Sequence, residues 1–470
     1  MNLIDAFLAQ VEARPDAVAI ITPRGGKVSF AGLSRGSAAR AAAMQRAGIG
    51  AGDIVLIARG VSVELYETLL AVFRLGAVAM FPEPAAGLRG LALAIEAAKP
   101  KAMAAGGLGR AMRLVSPALG SLRLLPDPDD RDGYGDRVAH LPGGAPALIT
   151  FTSGSTGRPK GIVRSADFLM LQHALLEKVR RTTPEDVDLI SLPVFILSNL
   201  AAGAASVIPS GRLTRPAQLD GGRLRAQIDA HRINRIVAPP AVCARIAGDA
   251  PPMPGLSAVF TGGGPVFPNL LHAVERAAPG AAVHAVYGST EAEPIAHIEL
   301  KEIAGADWDG MSRGEGLLAG RPIAEIEVEL REDEVFVAGP HVNAGYLNPE
   351  DDRTTKSVRD GKLWHRTGDA ARIDGAGRLW LLGRKEAAAG GLFPFAIETA
   401  ALSWPGVAQA ALLAGGQARL AVSGKGLDAA RLQARARAMG DIELVVMKAV
   451  PMDKRHNSKA DYVRLKKLLG

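Results

Sequence analysis

Across residues 3–104, short apolar runs alternate with longer segments of helical spacing, and a chain that keeps switching between strand and helix periods belongs to the α/β class. Residues 3–14 place Leu3, Phe7, Leu8 and Val11 on one helical face and stop before Pro15. Strand signals follow at 17–21 and 28–30, then an Ala-rich helix over 31–47 that ends at Gly48. The pattern continues as a strand at 53–58, a helix at 63–74, a strand at 77–81, a helix at 88–98 and a strand at 102–104. Pro/Asp and Gly/Pro clusters between 124 and 146 break it and read as a surface connection. Beyond them, 166–179 is helical, 189–192 is a strand, and the apolar run 194–208 carries a further helix and strand.

The connection leads into Thr150-Phe151-Thr152-Ser153-Gly154-Ser155-Thr156-Gly157-Arg158-Pro159-Lys160-Gly161, directly after the apolar run Ala147-Leu148-Ile149 that reads as the end of a buried strand. Glycines let backbone N–H groups turn toward an anion, hydroxyls donate further hydrogen bonds, and a lysine adds a point charge for phosphate oxygens. Thr152, Ser153, Gly154, Ser155, Thr156, Gly157 and Lys160 are therefore candidate phosphate ligands. The spacing is not that of the common P-loop, which needs Gly-Lys-Ser/Thr after four free positions.

Further constellations lie downstream. Thr261-Gly262-Gly263-Gly264-Pro265 follows a strand at 257–260 and would let a flat ligand lie against bare backbone. After a helix at 268–278 and a strand at 283–285 comes Val286-Tyr287-Gly288-Ser289-Thr290-Glu291. It offers an aromatic that can stack on a base, hydroxyls for phosphate and a carboxylate that can hold Mg²⁺. Gly345-Tyr346-Leu347 precedes Trp364-His365-Arg366-Thr367-Gly368-Asp369, where an ionised aspartate after a Thr-Gly turn can accept both hydroxyls of a ribose. Gly383-Arg384 and the tail Pro451-Met452-Asp453-Lys454-Arg455-His456-Asn457-Ser458-Lys459 complete the set.

Ser-Gly-Ser-Thr-Gly with Pro-Lys-Gly, followed far downstream by Tyr-Gly-x-Thr-Glu, resembles the adenylate-forming superfamily of acyl-CoA synthetases, adenylation domains and luciferases. The resemblance covers nearly the whole chain. It implies a large N-terminal domain of α/β subdomains, residues 1–384, and a small mobile α+β lid, residues 387–470, with a hinge at 385–386 on Glu386. It also implies roles. Gly262, Gly263, Gly264 and Tyr287 would border the adenine, with Gly288 and Ser289 beside them. Thr290 would contact the α-phosphate and Glu291 would bind Mg²⁺. Thr156 and Lys160 would hold the departing pyrophosphate, Asp369 the ribose, and Arg384 would be its neighbour. Lys459 would reach the α-phosphate and the substrate carboxylate, stabilising charge as the carboxylate attacks phosphorus.

ATP and Mg²⁺ are thus the implied cofactors and a small carboxylic acid the implied substrate. The commonest superfamily outcome is acyl transfer to a thiol, of CoA or of an acyl carrier protein, with CoA then a further cofactor. Thiol transfer is therefore the first expectation, although the sequence departs from the superfamily pattern in two places: the stretch between Arg384 and Pro394, which ordinarily helps form the thioesterification site, is several residues short, and Ala396 replaces a usual glutamate. As the alternative, Arg455-His456-Asn457-Ser458-Lys459, with Gly383-Arg384-Lys385 upstream and the short hinge loop, resembles the β-lactone synthetases of olefin biosynthesis, in which the substrate's own β-hydroxyl displaces AMP. A non-catalytic nucleotide-binding relative is the remaining alternative, set against the presence of Lys160, Glu291, Asp369 and Lys459.

Composition excludes other classes. The net charge of +7 suits an anionic partner, yet aromatics are only 4 % of the chain, too few to interleave with basic residues as nucleic-acid binding requires. Apolar stretches at 69–82 and 192–209 are interrupted by Arg74 or by Ser198 and Asn199 and fall short of the ~20 residues of a membrane span. The start of the chain reads as an amphipathic helix, not a signal peptide, and the single Cys243 excludes an internal disulfide framework, so a cytoplasmic setting is expected. Segment 193–197 would lie near the acyl pocket, with Ile196 where relatives carry a gating His, and a core stretch is an equal account of its side chains. His173, His231 and His297 show no metal-ligand spacing and receive no role.

Overall fold

The computed structural model describes residues 2–83, 86–128, 137–153, 158–248, 251–453 and 458–470, with only the backbone of Ser153. They fall into two compact units: Met1–Leu213 with Gln227–Ile233 and Asn343–Ser357, and Thr214–Ala226 with Asn234–Val342 and Val358–Gly470. Among the described residues no helix is long and apolar enough to cross a membrane.

In the first unit one sheet runs in the order Arg123–Leu124, Ala102–Ala105, Ile54–Ala58, Val78–Phe81, Pro146–Ser153, Pro159–Ser165. Its strands are parallel up to the final antiparallel pair. Leu56, Met80, Met103, Ile149 and Phe151 are buried there with Leu91 and Ala94 of the helix Gly87–Ala98, so the alternating pattern read from the sequence is a sheet with helical cover. A second set of strands pairs in the order Lys27–Ser29, Val18–Ile21, Ala205–Val207, Val187–Ile190. Helix starts are fixed locally: the hydroxyls of Ser29, Ser62 and Ser165 accept N–H groups of Gly32, Leu65 and Phe168. Arg74, which interrupts an apolar stretch, is wholly buried and donates to Ser37 Oγ at 3.0 Å and Ser34 Oγ at 2.8 Å. Beneath the helix Val194–Ala202, Arg180 binds Asp188 at 2.6 Å and Asn199 at 2.5 Å, while Ser198 bridges His173 and Glu177.

The second unit carries a sheet ordered Glu327–Arg331, Glu334–Ala338, Lys362–Ile373, Leu379–Arg384, Leu317–Pro322, Ala292–Glu299, Ala282–Ser289, Ala258–Gly262, Arg235–Ala238. Toward the end of the chain a separate sheet of Val407–Leu413, Ala418–Gly424 and Ile442–Val446 packs with helices Pro394–Ala401 and Ala429–Met439. Ile397, Trp404, Leu412, Leu420, Val422 and Leu432 give it a core of its own. Each such fully buried aliphatic side chain contributes about 1.5–3 kcal/mol, which is why so short a segment holds together.

The structure lengthens several expected strands. Residues 150–153 and 159–161 belong to a hairpin, not to a loop that leaves the sheet at Ile149. The strand expected at 283–285 runs from Ala282 to Ser289 and turns into Ala292–Glu299, and Asp369 lies inside the strand Lys362–Ile373. Polar residues hid these strands, since their edges line a site and lack the apolar alternation that marks a buried sheet.

Candidate active site

In the second unit, the parallel register between Ala258–Gly262 and Ala282–Ser289 sets Gly262 beside Val286. A Cβ on Gly262 would stand 2.6 Å from the Val286 carbonyl oxygen, so only glycine ends this strand without pushing its neighbour away. Gly263 follows with φ +75°, and at Gly264 the place of a Cβ is taken by the Ser458 side chain, 2.7 Å away. The next residue of the neighbouring strand is Tyr287, and Ser289 closes that strand. Ser289 Oγ accepts the N–H groups of Glu291 and Ala292, each at 3.2 Å, and so shapes the turn that carries Thr290 and Glu291.

Asp369 lies directly across from Arg384 in the antiparallel pair of Lys362–Ile373 and Leu379–Arg384. Arg384 donates to Asp369 Oδ1 at 3.1 Å and to the Thr367 carbonyl at 2.8 Å. From the other side Tyr287 donates its hydroxyl to Asp369 Oδ2 at 2.8 Å. Both carboxylate oxygens therefore have a partner, and the side chain is held in one orientation. Thr367 Oγ1 adds a bond from the Asp369 N–H at 3.1 Å and itself donates to the Val335 carbonyl at 2.9 Å, a role the sequence reading missed. Burial and the adjacent Asp369 charge raise the Tyr287 phenol well above its ordinary value, so it stays a donor. The same carboxylate holds the Arg384 guanidinium above its usual range, against the opposing effect of burial.

Lys459 follows Ser458 in a loop whose two sides meet in a bridge between Met452 and Ala460. Asp453 Oδ1 accepts the N–H groups of Ser458 at 3.0 Å and Lys459 at 3.1 Å. Ser458 packs on Gly264, which brings the tail motif and the Gly triplet together. Glu386 sits in the short 3-10 turn Lys385–Ala387 that follows Arg384.

Lys160 belongs to the first unit, on the strand Pro159–Ser165, opposite Thr152 in register. Cross-strand partners share a face, so both side chains stand on the same side of the hairpin. Lys160 Nζ is 3.9 Å from Asp351 Oδ1 and 5.5 Å from the centre of the Tyr346 ring. Gly161 O accepts the Leu347 N–H at 2.7 Å and Val163 O accepts Asn343 Nδ2 at 2.5 Å, which laces the Gly345-Tyr346-Leu347 segment to the lysine strand. Tyr346 and Asp351 were not assigned to the lysine from sequence, and only the tripeptide's presence hinted at them. Gly154, Ser155, Thr156 and Gly157 lie outside the described residues, as do Lys454, Arg455, His456 and Asn457.

Phe195, Ile196 and Leu197 are buried, and the Pro193 carbonyl accepts the Tyr66 hydroxyl at 3.0 Å, so this stretch packs as core. Cys243 is buried too, and burial pushes its thiol up to about 12. Among the described residues no cluster of three or more His, Cys, Asp or Glu could hold a metal. A Mg²⁺ that arrives on ATP takes one or two carboxylates plus phosphate oxygens and needs no such cage, so a single carboxylate on a half-buried turn, as at Glu291, fits it.

Residues 7–347 match the model of the AMP-binding enzyme family. The olefin beta-lactone synthetase of Stenotrophomonas maltophilia is 30 % identical over 95 % of this chain and 94 % of its own length. The 2-succinylbenzoate–CoA ligase of Bacillus subtilis is 28 % identical over 58 % of this chain and 56 % of its own. The amide bond synthetase McbA from Marinactinospora thermotolerans shares the fold, with a TM-score of 0.82 over the full length of both chains at 22 % identity. A match of this extent, on a chain that sets a glycine cradle beside a fixed Tyr–Asp–Arg cluster, makes it a member of the AMP-binding enzyme family and an acyl-adenylate-forming ligase.

Proposed function

We propose that the acid this enzyme activates is a β-hydroxy carboxylic acid and that its own hydroxyl is the acyl acceptor. In the first step a carboxylate oxygen attacks the α-phosphorus of ATP, the bond to the β-phosphate oxygen breaks, and pyrophosphate leaves. Asp369, fixed by Tyr287 and Arg384, accepts the ribose hydroxyls, and the Gly262–Gly264 backbone lies against the adenine. Thr290 contacts the α-phosphate, Lys459 offsets the charge that develops there, and Lys160 with the residues around Thr156 draws off pyrophosphate. When bound through Glu291, Mg²⁺ neutralises phosphate charge. In the second step the β-hydroxyl oxygen attacks the acyl carbon, the C–O bond to AMP breaks, the hydroxyl proton leaves to solvent, and a four-membered lactone closes.

The observation that carries this reading is the reach of the beta-lactone synthetase likeness in sequence, 95 % of this chain and so past the short hinge, whereas the sequence likeness to the CoA ligase covers 58 % of it. Local structure supports it. After Arg384 the chain makes one 3-10 turn and a tight Ala389–Leu392 turn with paired backbone bonds of 2.9 and 3.2 Å, then enters the helix at Pro394. That leaves little backbone from which to build an acceptor site for CoA or a carrier protein. A cytoplasmic setting fits the lone buried thiol. The test is product analysis with β-hydroxy acids and MgATP, with and without CoA: a β-lactone formed without CoA supports the reading, and an acyl-CoA as the sole product overturns it.

A further inference from the structure

Gly264 and Ser458 meet across nearly 200 residues of sequence. A Cβ built on Gly264 would lie 2.7 Å from Ser458 Cβ, closer than real side chains approach, while the next nearest atoms are Ser458 Oγ at 3.5 Å and Pro240 Cδ at 3.9 Å. Gly264 has no positive φ, unlike Gly263, so its backbone would accept an alanine. What requires glycine there is the seryl side chain resting in its place. Ser458 is 8 % exposed, and its Oγ accepts the Ala241 N–H at 3.4 Å.

The loop behind Ser458 is built to hold that contact. Asp453 Oδ1 gathers the N–H groups of Ser458 and Lys459, the Asp453 N–H donates to Lys459 O at 2.8 Å, and the Asp461 N–H donates to Pro451 O at 2.8 Å. These bonds make 451–453 and 458–461 one small antiparallel clamp, so a displacement of Ser458 is a displacement of the Lys459 backbone. A lysine that must meet a developing charge loses rate steeply when its backbone moves by about 1 Å.

We propose that Ser458 is the positioning residue of the lysine loop, seated in the hollow that Gly264 leaves in the wall of the nucleotide site, and that this contact sets where Lys459 stands during adenylation. The proposal rests on the assignment of Lys459 to the first step made above.

The test is steric exchange across the contact, read as pyrophosphate release. Gly264→Ala is expected to lower kcat about 10- to 100-fold and to change the KM for ATP less, because the added methyl meets Ser458 and so displaces the loop. Ser458→Gly alone is expected to lose about threefold. The double variant Gly264→Ala/Ser458→Gly is expected to recover to the level of Ser458→Gly, since the two Cβ atoms can no longer collide. A double variant no faster than Gly264→Ala, or a Gly264→Ala enzyme at the parental rate, overturns the proposal. Lys459→Ala separates the premise from the inference. A crippled Lys459→Ala without rescue in the double variant refutes the seat alone; an unimpaired Lys459→Ala with rescue intact refutes the role of Lys459 and, with it, the purpose given to the seat.

Discussion

Asp369 takes its orientation from two strands: Arg384 lies across from it in one pairing, and Tyr287 reaches it from another. Replacing Tyr287 by Phe keeps the ring and removes one charge-assisted bond, of the kind worth about 1.5–3 kcal/mol. The expected outcome is a 10- to 100-fold rise in the KM for ATP with a smaller change in kcat, measured by pyrophosphate release. An unchanged KM would mean that the carboxylate needs no second anchor. At this scale the sequence marks Tyr287, Asp369, Arg384 and the Gly triplet by motif, and the structure joins the first three by hydrogen bonds. The phenol–carboxylate bond is not legible in the sequence, because it joins residues 82 apart and depends on sheet order that spacing along the chain does not encode. The same holds for Tyr346 and Asp351 beside Lys160, which a short segment pinned to the lysine strand brings into place.

Among the elements, the 3-10 turn Lys385–Ala387 and the helix Pro394–Ala401 carry the clearest consequences. If the chain pivots at Glu386, proline there restricts the rotation, and Glu386→Pro should leave pyrophosphate release within about threefold while slowing product formation at least tenfold. Equal loss in both steps would exclude a pivot at that residue. Within the helix, Glu398 is buried and its Oε1 accepts the Tyr462 hydroxyl at 2.6 Å and the Leu412 N–H at 2.9 Å. Burial pushes its carboxyl from an ordinary 4.5 up to about 7, despite those bonds. Since the folded value lies above the unfolded one, the stabilisation is complete below pH 4.5 and is lost as pH rises through 7, about 3 kcal/mol in all. Hydrogen exchange of the Val407–Leu413 amides, corrected for intrinsic rates, should show protection falling from pH 5 to pH 8 in the parent and a flat profile in Glu398→Gln. A parallel fall in both would remove Glu398 as the cause. Neither bond is legible in the sequence, for the tail reads as a basic surface segment, whereas Tyr462 begins a helix packed on Ala411 and Ala421 of the C-terminal sheet.

For the whole molecule, alternation of strand and helix gave the α/β class directly, and the matched family and full-length structural likeness bear it out. What alternation could not supply was strand order: the second unit's sheet pairs Leu317–Pro322 with Leu379–Arg384 and so encloses segments far apart in sequence. Adenylation was likewise readable from motifs, because phosphate, ribose and metal each demand a distinctive residue type. The acyl acceptor was not, since the substrate leaves no motif of its own. The most direct test of the central claim is mass spectrometry of products from MgATP and a β-hydroxy acid without CoA. Stoichiometric AMP, pyrophosphate and a product lighter than the acid by one water, with the infrared carbonyl signature of a β-lactone, is the expected result. Pyrophosphate release that stalls at one equivalent until CoA is added, and then yields acyl-CoA, would contradict it.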